Sequence, residues 1–140
     1  MRRMLPAAIA LVLCTLVAGT AFLLRARAAD TAPVTLSGTL IDTRCYSMDA
    51  EANKGVDHKT ASGTIKQCAR MCASSGIPVA LLDADGKVTI LVAPSTSLAP
   101  HMGKEARLTG IPVLNGAVRP TKLEVKKGQA WTEVNLAVMM

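Results

Sequence analysis

The apolar positions divide the chain into one long run and a series of short ones. Residues 5–24 contain no charged side chain and are mostly apolar. After residue 33, apolar residues come in short groups that often alternate with polar ones and are separated by turn-forming residues. A long uncharged run is typical of a targeting or membrane helix, and short alternating groups are typical of strands. The pattern predicts an N-terminal hydrophobic helix followed by a mainly β domain.

The N-terminal run fits two interpretations. Two arginines precede it and Ala26-Arg27-Ala28 follows it, as in a signal peptide with a small-x-small cleavage site. The run is also longer than the usual signal core and, at about 30 Å as a helix, long enough to anchor the chain in a bilayer. We assign residues 1–28 to a signal peptide or a membrane anchor and residues 29–33 to a linker. Both interpretations predict an exported protein, periplasmic or extracellular, tethered to the inner membrane if the segment is not cleaved.

Turn chemistry separates the predicted strands of the remaining chain. The pairs Asp85-Gly86 and Asn115-Gly116 predict two hairpin turns, and Gly38 predicts a bulge or bend in the first strand. Five or six short strands suit a closed or nearly closed barrel, because closure removes exposed edges. The predicted strands are 34–42, 79–82, 88–92, 106–114 and 117–118 with 123–125, and residues 134–138 are predicted to form a sixth strand or a closing tail. We assign residues 34–126 to the barrel and residues 127–140 to a C-terminal tail or closing strand.

A polar insertion follows the first predicted strand. Residues 47–63 are rich in polar side chains and glycine and predict a loop. Thr64 predicts the cap of one short helix over residues 65–74, which ends near Gly76, with a short helical turn predicted between residues 94 and 103. On the longer helix, one narrow apolar face is expected from Ile65, Cys68, Ala69 and Cys72.

Composition and charge exclude one class of partner. The net charge is +6, but four of the sixteen basic residues lie in the first 28 positions, which contain no acidic residue. The rest of the chain has twelve basic and ten acidic side chains, and its two aromatic residues are Tyr46 and Trp131. A nearly neutral domain with so few aromatic rings lacks the charge and stacking surface of a nucleic-acid-binding protein. The sequence leaves a protein or small-ligand partner open.

The cysteines carry the candidate chemistry. Cys14 falls in the targeting segment, which leaves Cys45, Cys68 and Cys72, an odd number for an exported domain. On a helix, residues four apart have Cβ atoms about 5–6 Å apart, whereas a relaxed disulfide needs about 3.5–4.5 Å. Cys45 is therefore the easier disulfide partner for either helical cysteine.

Three functions remain open for this cluster. In the first, one disulfide stabilises the domain and the third cysteine is a small apolar residue. In the second, the three sulfurs bind a soft metal, copper(I) or zinc, with a fourth ligand from the remaining candidates. In the third, the extra thiol exchanges with a disulfide, helped by Lys66 and Arg70, which we expect to lower a thiol pKa. The candidate fourth ligands are His101, His58, Met71 and Met102.

We predict no catalytic activity for the chain. It has two histidines and no Ser-His-Asp spacing, and it contains no glycine-rich phosphate loop.

Several short motifs, in their order along the chain, are similar to those of a known group of proteins. That group comprises small secreted bacterial three-cysteine domains of uncharacterised function with an oligonucleotide/oligosaccharide-binding-like (OB-like) barrel. The similarity covers about residues 34–126 and implies a barrel and a shared role for the three cysteines, but no activity. The motifs are Gly38-Thr-Leu-Ile-Asp42-Thr-Arg-Cys45, Cys68-Ala-Arg-Met-Cys72, Gly76-Ile-Pro78-Val, Asp85-Gly86 and Arg107-Leu-Thr-Gly110. The prediction is therefore an exported small barrel whose three cysteines form a cluster suited to a soft metal.

Overall fold

Short strands dominate the part of the chain that the structure, a computed structural model, describes, which is residues 32–136. The strands are β1 (Val34–Asp42), β2 (His58–Thr60), β3 (Gly63–Ile65), β4 (Val79–Leu82), β5 (Val88–Ile90), β6 (Glu105–Pro112), β7 (Val118–Lys127) and β8 (Ala130–Glu133). The helices are α1 (Thr43–Met48), α2 (Cys68–Ser74) and α3 (Ser95–Leu98), with 3-10 turns at Ala99–His101 and Leu114–Gly116. The prediction of a mainly β fold with little helix is confirmed.

Six of the strands form one antiparallel sheet in the order β5-β4-β1-β6-β7-β8. The nine-residue β1 lies inside it, paired with β4 along its second half and with β6 along its first. The sheet is open, but just after β5 a single parallel bridge joins Leu91 to Val118 at the start of β7. The N–H of Val92 also donates to the carbonyl of Val118 at 2.9 Å. This contact brings the β5 edge of the sheet against β7, so the strands β5, β4, β1, β6 and β7 approach closure without forming a closed barrel. We call these five strands the barrel.

The core lies inside this curved sheet and beneath the helices. Its largest fully buried apolar side chains come from β1, β4, β6 and β7 and from α3. Burying each such leucine contributes roughly 1.5–3 kcal/mol relative to leaving it in water. The most deeply buried leucines are Leu40, Leu81, Leu98, Leu108 and Leu123, and the same core contains Met102 and Ala69 and Ala73 of α2.

Gly38 has a different role from the predicted one. The pairing of β1 with β6 runs through Gly38 without a break, so the bulge predicted there is wrong. A β-carbon at this position would collide with the carbonyl oxygen of Leu82, and the glycine lets the neighbouring strand approach. The register shift of the sheet lies instead between Thr109 and Gly110, where β6 pairs with β7.

The segment between β1 and β4 contains more structure than predicted. The predicted loop over residues 47–63 begins inside α1 and contains β2, which pairs with β3 as a separate two-stranded hairpin. Thr64 lies in β3 and caps no helix, because α2 begins only at Cys68, after Gln67 in a left-handed conformation. Ile65 is therefore not part of the helical face that was expected to contain it.

The end of the chain also differs from the prediction. Of the two alternatives predicted for residues 134–138, the sixth strand is wrong for the described part, since residues 134–136 form no strand. Gly128, with φ of 63°, reverses the chain directly after β7, and β8 pairs back onto β7 from Ala130. Val134 then lies buried, with its N–H donating to the carbonyl of Leu123 at 2.8 Å.

The predicted signal peptide or anchor lies outside residues 32–136. Within that range, no helix has the length and apolar character needed to cross a bilayer.

Candidate metal centre

Three cysteines from two helices meet at one point. The Sγ atom of Cys45, on α1, lies 3.9 Å from Sγ of Cys68 and 4.0 Å from Sγ of Cys72, both on α2. All three sulfurs lie within 4.8 Å of one another, and all three side chains are partly buried. The predicted convergence of the three cysteines is confirmed.

Buried and half-buried polar contacts hold α1 and the β2 hairpin in place. Oδ1 of Asp42 accepts a hydrogen bond from the N–H of Cys45 at 3.0 Å and so caps α1. The buried amide of Asn53 donates to the carbonyl of Cys45 at 2.9 Å and accepts from the N–H of Lys59 at 3.0 Å. Asn53 therefore ties the helix that carries Cys45 to the strand that carries His58.

No disulfide joins the three cysteines, which are free thiols in this structure. The disulfide predicted between Cys45 and a helical cysteine is therefore not formed, because a disulfide needs sulfurs only about 2.05 Å apart. Sulfurs each about 2.3 Å from one metal ion lie roughly 3.8 Å apart in a tetrahedral site and about 4.0 Å apart in a trigonal one. The observed distances from Cys45, 3.9 and 4.0 Å, match such a metal-bound set.

A buried pair of ionisable side chains adjoins the cysteines. Nε2 of His58 lies 3.3 Å from Oδ2 of Asp42, and the two side chains are 1% and 0% exposed. Neither ring nitrogen of His58 has a hydrogen-bond partner, and Oδ2 of Asp42 has none either. Asp42, Cys45 and His58 also form a second group whose ligand atoms all lie within 4.8 Å of one another. Asp42 was not identified from the sequence as a residue of the site. Its position three residues before Cys45, typical of a helix N-cap, was the available signal.

The environment makes the thiols of Cys45 and Cys72 weak acids. Burial, followed by the nearby charge of Asp42, raises the pKa of Cys45 from 9.0 to about 12. The same two causes raise the pKa of Cys72. The expectation that Lys66 and Arg70 lower the thiol pKa is therefore wrong for these two cysteines. Lys66 is paired with Asp57 at 2.8 Å, and Arg70 donates to a backbone carbonyl at 3.4 Å.

The other predicted ligands lie in different surroundings. His101 is part of a 3-10 turn and belongs to neither ligand group. Burial, and then the positive charges of Lys104 and Arg70, lower its pKa, and the same charges disfavour a bound cation. Met71 is 50% exposed on α2, whereas Met102 is buried in the barrel core.

A cavity of about 520 Å³ opens beside the cysteines. Cys45, Cys68 and His58 line it together with Asn53 and the exposed Met48. The cavity therefore provides a path toward two of the sulfurs and ends against the buried His58, and a metal site requires such an entry path.

Comparison of the chain with protein-family models, curated proteins and solved structures finds no match. The geometry of the site therefore carries the functional argument. Both the three-cysteine group and the Asp42–Cys45–His58 group have donor atoms close enough together to bind one metal ion.

Proposed function

We propose that this protein binds a soft metal ion, copper(I) or zinc(II), through Cys45, Cys68 and Cys72. The observation that supports this proposal is the spacing of three free sulfurs: Cys45 lies 3.9 and 4.0 Å from the other two, as in a metal-bound set, and all three lie within 4.8 Å of one another. Thiolates are the ligands that these two metals prefer among protein side chains.

Metal binding also accounts for three free thiols at one point of an exported domain. In an oxidising compartment, unprotected thiols this close would form a disulfide. A bound ion keeps each sulfur in a metal–thiolate bond and displaces its proton, so the raised pKa of Cys45 and Cys72 describes only the metal-free form.

The test is metal titration of the full-length chain, purified under reducing conditions, against a chromophoric chelator. We expect one zinc or copper(I) ion per chain. Cys45→Ser, Cys68→Ser and Cys72→Ser should each weaken binding by roughly a hundredfold or more, because each removes one of three sulfur ligands. Cys14→Ser is the matched control, since Cys14 lies in the predicted targeting segment and should not change the affinity.

Two results would overturn the proposal. One is the absence of stoichiometric binding of either metal by the reduced chain. The other is an affinity that Cys14→Ser lowers as much as the three cluster substitutions do.

Thiol–disulfide exchange is a second candidate, and one observation favours it. Cys45 is nearly equidistant from Cys68 and Cys72 and can pair with either. A cluster thiolate would attack the disulfide of an oxidised partner and release one partner thiol. A second cluster thiolate would then displace the other, leaving a protein disulfide and a reduced partner. Intact mass after incubation with a small disulfide would be lower by two hydrogens; the raised thiol pKa values argue for a slow reaction.

A further inference from the structure

His58 is buried without the partners that an imidazole normally has. Its side chain is 1% exposed, and neither Nδ1 nor Nε2 has a hydrogen-bond partner. A neutral imidazole carries one donor and one acceptor nitrogen, and burial of both without partners is unfavourable. The surroundings of His58 therefore supply a carboxylate at ion-pair distance from Nε2 but no partner for Nδ1.

Asp42 faces the same ring with an unsatisfied oxygen. Its Oδ1 caps α1, while Oδ2 points toward Nε2 of His58 at 3.3 Å and has no hydrogen-bond partner. A histidine that binds a metal through one ring nitrogen usually donates the other N–H to a carboxylate, which orients the ring. The Asp42–His58 pair has the chemistry of that arrangement.

Cys45 connects this pair to the sulfur cluster. Its Sγ belongs both to the three-cysteine group and to the group with Asp42 and His58. His58, Cys45 and Cys68 also line the same cavity. An ion held by Cys45 therefore adjoins both groups. Because the 4.8 Å grouping does not extend from His58 to both Cys68 and Cys72, binding by all four side chains would draw the imidazole closer to these thiols.

We infer that His58 is the fourth ligand of the metal and that Asp42 is its outer-sphere partner. This inference rests on the proposed function. Three cysteines and one histidine form a four-coordinate set typical of structural zinc sites. The metal is then zinc(II), bound by four protein side chains with no open position for a substrate.

The experiment uses cobalt(II) as a spectroscopic probe of zinc coordination in the reduced full-length chain. We expect the strong visible bands of tetrahedral cobalt bound by three sulfurs and one nitrogen. His58→Ala should weaken and shift these bands and lower the zinc affinity by roughly ten- to a hundredfold. Asp42→Asn, which keeps an oxygen for the helix cap, should lower the zinc affinity less, by about tenfold. His101→Ala is the matched control and should change neither quantity.

A measurement on the unsubstituted chain guards against a variant that fails to fold. Nitrogen NMR of the two histidines should show that zinc shifts one ring nitrogen of His58 and leaves His101 unchanged. Cobalt bands and zinc affinity that survive His58→Ala, or His58 nitrogens that zinc does not shift, would overturn the fourth-ligand assignment. The proposed function would still stand if Cys45→Ser abolished binding. Failure of the unsubstituted chain to bind zinc, cobalt or copper(I) would reject both.

Discussion

The barrel and the segment over residues 43–76 are stabilised in different ways. In the barrel, large side chains such as Leu40, Leu108 and Leu123 are almost fully buried against one another. In the segment, α1 buries no residue and α2 buries only Ala69 and Ala73. Apolar burial therefore accounts for the stability of the barrel but contributes little to the segment.

Polar contacts take the place of apolar packing in the segment. Asn53 bridges two backbone groups, Asp57 binds Lys66 and the N–H of Gln67, and Asp42 caps α1. The unsatisfied atoms of Asp42 and His58 lie where the segment meets the barrel. The stability of the barrel therefore depends on its apolar core, whereas the segment surrounds polar groups that a bound ligand would satisfy.

The largest expected effect is on the barrel. Leu40→Ala removes a fully buried side chain from the core and should lower the free energy of unfolding by about 2–5 kcal/mol. Chemical denaturation of the reduced chain measures this loss, which we expect to be similar with and without zinc.

The control is Leu114→Ala, because Leu114 is 87% exposed and its truncation should change stability by less than about 0.5 kcal/mol. A loss at Leu40 that is no larger than the loss at Leu114 would contradict the description of the barrel core.

The barrel was largely predictable because its signals are local. Alternating apolar residues and the pairs at Gly86 and Gly116 indicate strands and turns without knowledge of the rest of the fold. Both glycines have the positive φ that such turns use. The bulge at Gly38 was predicted wrongly because the glycine is needed for the close approach of the strand at Leu82. That residue lies 44 positions along the chain, where no local pattern reveals it.

The candidate site was only partly predictable. The spacing of Cys68 and Cys72 and the odd cysteine count indicated a cluster with Cys45, which the structure confirms. The role of Asp42 and the burial of His58 depend on how the β2 hairpin folds over α1. That arrangement is set by single polar contacts such as those of Asn53, and these leave no periodic pattern in the sequence.

The second prediction concerns metal binding by the segment. Without metal, the amides of Asp49 and Ala69, which bond to carbonyls within the segment, should exchange faster than those of the central strand β1. Zinc at a hundred times its Kd should stabilise the segment by about 2.7 kcal/mol and slow its exchange by about a hundredfold. Hydrogen exchange measured by NMR or mass spectrometry checks both statements.

Cys45→Ser is the control for this experiment and should remove the effect of zinc. Equal exchange rates in the segment and in β1 without metal would show that the two regions open together and are not stabilised separately.

A smaller effect is expected from the buried amide that joins α1 to β2. Asn53→Ala leaves the carbonyl of Cys45 and the N–H of Lys59 without their partner, which should destabilise the segment by about 1–3 kcal/mol. Zinc affinity should fall together with this stability, because His58 loses its fixed position beside Cys45.

The control is the exposed Ser47, whose hydroxyl donates to the carbonyl of Arg44. Ser47→Ala should change stability by less than about 0.5 kcal/mol. Equal losses of stability from Asn53→Ala and Ser47→Ala would contradict the bridging role of Asn53.

The smallest expected effect tests which charge governs the thiols. In the metal-free chain carrying Cys14→Ser, the raised pKa of Cys45 and Cys72 means that little thiolate is present at neutral pH. Alkylation of these two residues by iodoacetamide should therefore be slow at pH 7–8. Its rate should rise about tenfold per pH unit, for Cys45 up to a pKa of about 12.

Asp42→Asn should speed the alkylation, since it removes a negative charge beside the sulfurs. Lys66→Ala should leave the rate unchanged, because the ammonium group is paired with Asp57. If Lys66→Ala slowed alkylation and Asp42→Asn did not speed it, the positive charge on the segment would control the thiols after all.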